Sequence, residues 1–210
     1  MPNNIILLGY SGHAYSVIDA AQSSGEAVEH YCEKESVEKN PYELNYLGHE
    51  AHLNLDMYKS KYCFFPAIGD NFIREKLMRF IEDSELEQIR IIHQSASVSE
   101  KADIGLSTFI GNGALVNPVC RIGKGVIINT GAIIEHECEI SDFVHVAPGA
   151  VLAGNVSIGK HSLIGANSVI KQGVKIGENS IIGAGSVVLQ DIPDNKIVAG
   201  NPSRLIKENE

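Results

Sequence analysis

The 210-residue sequence contains no tryptophan, and only 6% of its residues are aromatic. Its 17 basic residues are outnumbered by 26 acidic ones, which gives a formal net charge of −9. Nucleic acids and anionic membranes both require a cationic surface, so we expect general affinity for neither, while a local basic pocket is still allowed. The four cysteines (Cys32, Cys63, Cys120 and Cys138) form no CxxC pair, and we expect them to be free thiols in a reducing compartment.

A long apolar run is also missing. No segment approaches the roughly 20 apolar residues that span a bilayer. The apolar residues 5–8 follow no basic region, so they predict a first strand rather than a signal peptide. With 44% hydrophobic and 20% charged residues, the composition is typical of a folded globular protein. We therefore expect a cytoplasmic protein with a packed core.

A six-residue repeat covers the second half of the chain. Every sixth position from Val98 to Val188 is aliphatic, and the phase two residues earlier holds only small or β-branched residues and cysteine. Glycine often follows the aliphatic position, as at Gly105, where it would support a tight bend. A period of six fits a coil with three flat faces and three hexapeptides per turn, whose stacked turns pair as parallel strands. The repeat predicts a left-handed parallel β-helix of about five coils, with Cys120 and Cys138 packed inside it.

The first ninety residues follow a different pattern, in which strands alternate with helices. The predicted elements are strands at residues 5–8, 29–32 and 62–68 and helices at residues 14–24 and 71–82. Such alternation indicates a small, Rossmann-like parallel sheet of three or four strands. We therefore expect an α/β domain over residues 1–92, the β-helix over residues 93–192 and a C-terminal tail over residues 193–210.

Among the eight histidines, His136 is the candidate for catalysis. It lies between Glu135 and Glu137, on an exposed bend directly after the inward residue Ile134. A neighbouring carboxylate raises the basicity of an imidazole and fixes its tautomer, as a general base requires. Histidine–glutamate pairs are also common on surfaces, so local chemistry alone leaves both interpretations open. Four other histidines lie among polar residues and are expected at the surface: His30, His49, His52 and His161.

Positions three hexapeptides apart stack in such a coil, and this places small residues in columns. His136 lies one coil below Gly154, which exposes its backbone amide, while Ala166 and Ala184 form a second column at a different corner. Small residues at these corners either let a long, thin ligand lie along the coil or simply fit the bend. No metal site is expected, because His145 is half a coil from His136 and no third histidine completes a zinc-binding set.

The turn at residues 9–13 (Gly-Tyr-Ser-Gly-His) leads from the first strand into a helix. Amides at a helix N-terminus attract phosphate, but the turn is shorter than the GxGxxG dinucleotide fingerprint. A nucleoside diphosphate site and an ordinary strand-to-helix turn both remain compatible with it.

Together these features resemble the sugar acetyltransferases of the sialic-acid O-acetyltransferase and bacillosamine type, within the hexapeptide-repeat acyltransferases. The resemblance covers nearly the whole chain and is most specific in a few short segments. These are residues 129–130, 134–138, 143–146, 153–156 and 198–202.

The resemblance implies roles for individual residues. The counterpart of His136 is the catalytic base, and the counterpart of Glu137 raises its basicity. Residues implied for binding acetyl-CoA, the co-substrate, are His145, Gly154, Ala166 and Ala184. Residues implied for binding the nucleotide-sugar are Ser11, Gly12, His13, Glu33, Gly69, Asn71 and Asn129. The family has an acidic pair after the second strand, whereas this sequence has Glu33-Lys34. The segment from there to Gly69 is also long for the bacillosamine enzymes. The resemblance therefore does not determine which nucleotide carries the sugar.

The function implied by this resemblance is acetyl-CoA-dependent N-acetylation in surface glycan biosynthesis. The acceptor would be the 4-amino group of a nucleotide-linked 4-amino-4,6-dideoxy sugar, with UDP as the expected nucleotide. The acetyl group would pass directly from acetyl-CoA to this amino group. A homotrimer with active sites between subunits is expected, because one CoA would have to contact both corner columns. The alternatives are O-acetylation of sialic acid or another sugar, acetylation of serine or xenobiotics, and a silent trimeric scaffold or nucleotide-sugar binder.

Overall fold

The computed structural model describes residues 4–209, and its N-terminal part is a four-stranded parallel sheet in the order β3-β2-β1-β4. Its elements are β1 (Asn4–Leu8), α1 (Gly12–Ser23), β2 (Ala27–Cys32), β3 (Asn45–Tyr46), β4 (Cys63–Pro66) and α2 (Asn71–Asp83). Two short 3₁₀ helices, Glu50–His52 and Leu55–Met57, lie between β3 and β4. The predicted α/β fold is confirmed. Residues 1–3 and 210 of the predicted domains lie outside the described residues.

The two faces of this sheet are covered by different apolar clusters. On one face, Val17 and Ile18 of α1 pack with β1 and with side chains of the coil. On the other face, Ile81 of α2 packs against Ile6 and Leu8 of the same strand. Because both faces of β1 are covered, all of its residues after Asn4 are buried and apolar, which matches the pattern of a central parallel strand.

The second part of the chain is a parallel β-helix of two-residue strands at six-residue intervals. The strands are β5 (Ile91–Ile92), β6 (Ser97–Val98), β7 (Asp103–Ile104), β8 (Phe109–Ile110), β9 (Leu115–Val116), β10 (Arg121–Ile122), β11 (Ile127–Ile128), β12 (Ile133–Ile134), β13 (Glu139–Ile140), β14 (His145–Val146), β15 (Val151–Leu152), β16 (Ser157–Ile158), β17 (Leu163–Ile164), β18 (Val169–Ile170), β19 (Lys175–Ile176), β20 (Ile181–Ile182) and β21 (Val187–Val188). Strands three hexapeptides apart pair in parallel, as Ile128 does with Val146. The predicted left-handed β-helix is therefore confirmed.

Three sheets form the faces of this prism. Face 1 contains β5, β8, β11, β14, β17 and β20; face 2 contains β6, β9, β12, β15, β18 and β21; face 3 contains β7, β10, β13, β16 and β19. Residues after 193 extend face 1, because β22 (Lys196–Ala199) pairs in parallel with β20, and β23 (Arg204–Glu208) pairs antiparallel with β22. The segment expected as a tail is therefore joined to the prism.

The interior of the prism is filled by the aliphatic phase of the repeat. Ile134, Ile164 and Ile182 are completely buried, in one cluster that runs the length of the coil. The small-residue phase is buried as well, and its hydroxyls bond to carbonyl oxygens of the next coil, as Ser162 Oγ does to the Gly177 oxygen at 2.7 Å. Cys120 and Cys138 are buried free thiols in this phase, as predicted.

The glycines that follow the aliphatic positions are needed for a reason other than the expected bend. A Cβ placed on Gly105 would lie 2.5 Å from the backbone of Gly123 in the next coil. The backbone of Gly105 does not have a positive φ angle, whereas Ser107, two residues later, does. Close approach between coils therefore requires the glycine, and the left-handed residue of the corner comes after it.

A buried arginine, Arg74 of α2, joins the α/β domain to the coil. Its side chain is 1% exposed, and its Nε donates to the Gly125 carbonyl at 2.6 Å. Nη1 donates to the Gly69 carbonyl at 2.9 Å, and Nη2 donates to Asn71 Oδ1 at 2.7 Å and the Phe143 carbonyl at 3.1 Å. Burial lowers the pKa of Arg74 to about 9, so the guanidinium is still charged at neutral pH.

Replacement of Arg74 by methionine tests this joint. The variant keeps the length of the side chain but leaves buried carbonyl groups without donors, so we expect a loss of about 3 kcal/mol in the free energy of unfolding. The matched control is Arg79→Met on the same helix, because the Arg79 side chain is 68% exposed and pairs only with Glu75. This change should cost less than about 1 kcal/mol. Urea unfolding measures both, and equal losses would show that Arg74 is not the joint.

Candidate active site

His136 lies at the corner between faces 2 and 3, in the turn that joins β12 to β13. Its Nδ1 is 3.0 Å from Glu137 Oε2, and the two side chains are 52% and 61% exposed. A carboxylate beside Nδ1 keeps the proton of a neutral imidazole on that nitrogen, which leaves Nε2 as a free acceptor. The corner can therefore present a base to a molecule bound outside the coil.

Gly154 lies against the His136 ring, as the register of three hexapeptides predicts. A Cβ on Gly154 would be 2.5 Å from His136 Cε1 and 2.7 Å from Nε2, so only glycine leaves room for the ring in this position. Within residues 4–209 the Gly154 amide makes no backbone hydrogen bond, although its carbonyl accepts from Gly173. A free amide beside a base can stabilise negative charge on an oxygen that develops there.

The second column of small residues lies at the corner between faces 1 and 2. Ala166 and Ala184 follow β17 and β20, and Gly185 donates to the Ala166 carbonyl at 2.8 Å. Asn129 follows β11 at the same corner, two coils below Ala166. The predicted columns both exist, and face 2 separates the His136 corner from this one.

His145 on face 1 and His13 at the start of α1 lie side by side between the two parts of the chain. The ring centroids are 6.5 Å apart, and His145 Nε2 is 3.2 Å from Asn129 Nδ2. Burial, and then the charge of Arg74, lowers the pKa of His145 to about 4. Burial, followed by the charges of His145 and Arg74, lowers the pKa of His13 to about 3. Both rings are therefore neutral at neutral pH, and together with Asn129 they form a polar row.

His13 has an unused hydrogen-bonding atom in this row. Its Nε2 is buried and has no hydrogen-bond partner among residues 4–209, while the ring packs edge-on against Phe109 at 5.1 Å. Ser11, at the N-cap of α1, makes no capping hydrogen bond through its side chain, so amides at that helix end remain available. The turn at residues 9–13 thus offers donors to a ligand, which is what an anion requires.

A cavity of about 450 Å³ opens at the carboxyl edge of the N-terminal sheet. Its walls come from the ends of β1, β2 and β4, from α2 and from the first 3₁₀ helix, and they include Gly9, Glu33 and Lys76. Ligands of open α/β sheets bind at this edge, where the strand order reverses. Here the order reverses at β1, which is flanked by β2 and β4. Glu33 Oε2 accepts from the Tyr10 amide at 3.3 Å, so the predicted residue lies in the cavity wall.

Two predicted binding residues, Gly69 and Asn71, have their polar groups engaged within the protein. The Gly69 carbonyl accepts from Arg74, and the His145 ring hydrogen-bonds the Gly69 backbone. Asn71 Nδ2 donates to the His161 carbonyl at 2.7 Å, and its Oδ1 accepts from Arg74. Both residues lie near the polar row, but these contacts serve to join the two parts of the chain.

The expectation that His30 lies at the surface is wrong, because its side chain is 17% exposed and its Nε2 is 3.2 Å from the Tyr62 hydroxyl. The same expectation for His161 is also wrong. Its side chain is 14% exposed, and its Nε2 is 2.7 Å from Glu75 Oε2 of α2. The ring packs between Phe72 and Phe143, with centroid distances of 4.3 and 5.8 Å. Helix α2 docks on the coil and covers the corner between β16 and β17, where His161 lies. The residues next to His161 in the sequence do not predict this contact.

Glu75 is a further charged residue that sequence patterns missed. Although burial opposes it, hydrogen bonds from Lys160, Arg79 and His161 lower the pKa of Glu75 to about 2. The carboxylate therefore stays charged over the physiological range and fastens α2 to the coil, beside Arg74.

Residues 4–209 contain no group of three or more histidine, cysteine, aspartate or glutamate side chains arranged to hold a metal ion. None of the helices in this range is long and apolar enough to cross a membrane.

Family comparisons match both parts of the chain. Residues 4–81 match the PglD N-terminal domain. Residues 137–172 match the bacterial transferase hexapeptide family, and residues 155–190 match the hexapeptide repeat of succinyl-transferase. No curated protein sequence matches the chain.

Several solved structures are similar over nearly the full length. A mutant of perosamine N-acetyltransferase from Caulobacter crescentus, in complex with CoA and GDP-perosamine, is 31% identical with a TM-score of 0.93, and the match covers 98% of this chain and 97% of that one. The acetyltransferase domain of PglB from Neisseria gonorrhoeae, in complex with acetyl coenzyme A, is 29% identical with a TM-score of 0.93, over 98% and 100%. WeeI from Acinetobacter baumannii is 25% identical with a TM-score of 0.83, over 96% and 99%.

Replacement of Gly154 by alanine tests the steric role of this residue. The added methyl group would overlap the His136 ring, so the ring should leave Glu137 and lose its preference for a proton on Nδ1. Nitrogen-15 shifts of the imidazoles at alkaline pH, where the ring is neutral, report the tautomer. The shifts of the buried His145 serve as the internal control and should not change. Retention of the Nδ1-protonated form by His136 would contradict the prediction.

Proposed function

The chain belongs to the hexapeptide-repeat transferases that carry a PglD N-terminal domain, a family of acyltransferases, and we propose that it N-acetylates a nucleotide-linked amino sugar with acetyl-CoA. The acceptor would be the 4-amino group of a 4-amino-4,6-dideoxy sugar, in the biosynthesis of surface glycans. The observation that carries the proposal is the His136–Glu137 pair, with the His136 ring held against Gly154 at the coil corner.

We assign the role of general base to His136. In a direct transfer, the amino nitrogen forms a bond to the thioester carbonyl carbon, and the carbon–sulfur bond of acetyl-CoA breaks. The proton lost by nitrogen passes to His136 Nε2 and from there to the departing sulfur. Glu137, 3.0 Å from Nδ1, stabilises the imidazolium that forms in between. No covalent acyl-enzyme is required.

The free amide of Gly154 would serve the thioester oxygen. As nitrogen attacks, negative charge builds on that oxygen, and a donor held in place by the coil needs no rearrangement to meet it. The thin pantetheine arm of CoA would lie between the two corner columns. One column contains Ala166 and Ala184, and the other contains His136 and Gly154. His145, implied for the same substrate, lies beyond Asn129 on face 1.

The nucleotide-sugar would lie between the cavity and the polar row. Lys34 and Lys76 line the cavity, and the N-terminal amides of α1 are near it, so a diphosphate finds positive charge there. The sugar would then reach toward His13 and Asn129. UDP is the carrier implied by resemblance to the bacillosamine enzymes, whereas the similar perosamine enzyme was solved with GDP-perosamine.

Turnover with a panel of acceptors tests this function. We expect acetyl-CoA consumption with at least one 4-amino sugar linked to UDP, dTDP or GDP, and none with free sialic acids. His136→Asn should lower kcat by about 10²–10⁴, the usual contribution of a general base. Asp103→Asn, at an exposed position of face 3, is the control and should keep the wild-type rate.

Other outcomes of the same assay would reject parts of the proposal. Turnover with sialic acid alone would replace it by O-acetylation, and no turnover with any acceptor would support a scaffold. Full activity of His136→Asn at saturating substrate would remove His136 as the base.

We further propose that the active protein is a homotrimer that uses face 2. The outward side chains of this face are almost all aliphatic: Leu115, Ile133, Val151, Val169 and Val187. The outward side chains of face 3 are polar or charged: Asp103, Arg121, Glu139, Ser157 and Lys175. Contiguous exposed apolar surface on one face supports association with a second copy through that face.

Association through face 2 would also complete the site. In one chain, His136 lies at one edge of face 2, and Asn129 lies at the other edge with the rest of the polar row. When face 2 packs against a neighbouring copy, the His136 corner of one subunit can approach the polar row of the next. The base and the sugar site would then come from different subunits.

A charged residue on face 2 tests the trimer. Val169 is 42% exposed, and Val169→Asp would place a carboxylate in the apolar interface, so we expect monomers and loss of turnover. Ser157→Asp places a carboxylate on face 3 instead and should leave the mass of the oligomer and the turnover unchanged. Light scattering gives the mass of each variant. A monomeric Val169→Asp variant with full turnover would show that the site is complete in one chain.

A further inference from the structure

The cavity at the carboxyl edge of the N-terminal sheet has one apolar side and one polar side. Ile68, Ile73, Leu77 and Phe80 form the apolar side, and three of these come from α2. Ile73 is 51% exposed, which is unusual for an isoleucine and is consistent with a surface that a ligand covers. A flat heteroaromatic ring fits such a surface, because its faces are apolar and its edges carry the polar atoms.

The polar side comes from the first 3₁₀ helix, which follows β3. His49 and Glu50 line the cavity together with Glu33 at the end of β2. The buried Cys32 also lines the cavity. Burial raises the pKa of its thiol to about 12, with further contributions from the charges of Glu50 and then Glu33. Glu50 therefore belongs to the same side of the cavity as Glu33 and Cys32.

This carboxylate lacks a donor. Its side chain is only 18% exposed, and in the described part of the chain no hydrogen bond to its oxygens is present. The nearest basic atom is His49 Nδ1 at 3.4 Å, but Nδ1 already accepts from the Ala51 amide at 3.2 Å. Neither oxygen is completely buried, so both are open to water or to the donors of a ligand in the cavity.

The same contact defines what His49 can offer. Because Nδ1 accepts from an amide, the proton of the neutral ring is on Nε2. His49 therefore carries a donor on Nε2, in a residue that lines the cavity next to Glu50. The polar side of the cavity thus has two acceptors next to one donor.

We propose that this cavity selects a guanine base, with Glu50 and His49 as the residues that read it. The Watson–Crick edge of guanine carries two adjacent donors, N1–H and the N2 amino group, followed by the O6 acceptor. The two oxygens of Glu50 accept from N1 and N2, and His49 Nε2 donates to O6. Uracil and thymine place one N–H between two carbonyl groups, so a carboxylate facing them would meet an acceptor.

The remaining groups of the cavity suit the rest of a guanosine diphosphate. An acidic residue at the end of β2 is the usual partner of ribose hydroxyls in nucleotide-binding sheets, and Glu33 occupies that position. Lys34 and Lys76 supply positive charge for the diphosphate. This inference rests on the proposed function, since it names the nucleotide that carries the amino sugar.

Equilibrium binding of free nucleotides to the intact protein tests the base directly. We expect GDP to bind at least about tenfold more tightly than UDP or dTDP, in keeping with the discrimination of one bidentate contact. Inosine diphosphate, which lacks the N2 amino group, should bind several-fold more weakly than GDP. Calorimetry on the wild-type protein measures all four. UDP binding as tight as GDP binding would overturn the proposal.

The variant Glu50→Gln isolates the carboxylate. It keeps the size of the side chain but replaces one acceptor with an amide donor, so GDP affinity should fall about tenfold or more, whereas UDP affinity should not fall, because the amide can donate to a uracil carbonyl. The difference in affinity between GDP and inosine diphosphate should become smaller in the same variant. Glu38→Gln changes an exposed glutamate in the same region and should alter the affinity for neither GDP nor UDP. An equal loss for all nucleotides in Glu50→Gln would mean that Glu50 does not read the base, and would overturn the proposal.

Turnover separates failure of this inference from failure of the proposed function. Acetyl transfer to a UDP- or dTDP-linked 4-amino sugar, but not to its GDP counterpart, would reject the guanine assignment and keep the N-acetyltransferase. A lack of transfer to every nucleotide-linked amino sugar, with GDP still bound selectively, would reject the N-acetyltransferase and keep the guanine cavity.

Discussion

The guanidinium of Arg74 holds the two parts of the chain in one arrangement. It donates to carbonyl groups of Gly69, at the end of the N-terminal sheet, and of Gly125 and Phe143, which lie at the same corner of two successive coils. A planar fork with fixed donor directions satisfies these acceptors in only one relative placement of α2 and the coil. The Gly69 backbone also contacts His145, so the same joint sets the position of the polar row. Fold and candidate site therefore depend on a common interaction.

The geometry of the His136 corner follows from the coil rather than from any local adjustment. Glu137 has a φ angle of +63°, which is uncommon for a residue with a side chain, but Val119 and Asn155, one coil away on either side, have positive φ angles too. The left-handed residue thus recurs at this corner in successive coils from Val119 to Gly173, and the strain is not specific to the level of His136. What distinguishes the level of His136 is Gly154, which leaves room for the imidazole ring.

Much of this could be predicted from sequence, because the coil has a strict period. Sixteen aliphatic positions define the interior, and the register of three hexapeptides places Gly154 against His136 without further information. Arg74 could not be found in this way, since its partners are backbone carbonyls 51 and 69 residues away, which leave no mark on the sequence. One signal does exist: Arg74 shares a helical face with the buried Met78 and Ile81, and a charge on an apolar stripe indicates a buried partner.

The two halves of the proposed site differ in how they are built, and this bears on how specificity can change. The base and its amide lie on a coil in which every strand is fixed by the strands of the coils above and below, so a shift there would disturb its neighbours. Glu50 and His49 lie in a connection between β3 and β4 that belongs to no sheet and contributes two short 3₁₀ helices. Such a connection tolerates substitution far better than a core strand does. Because the two regions share no side-chain contact within residues 4–209, the nucleotide could be exchanged by changes in the connection while the acyl-transfer corner stays the same.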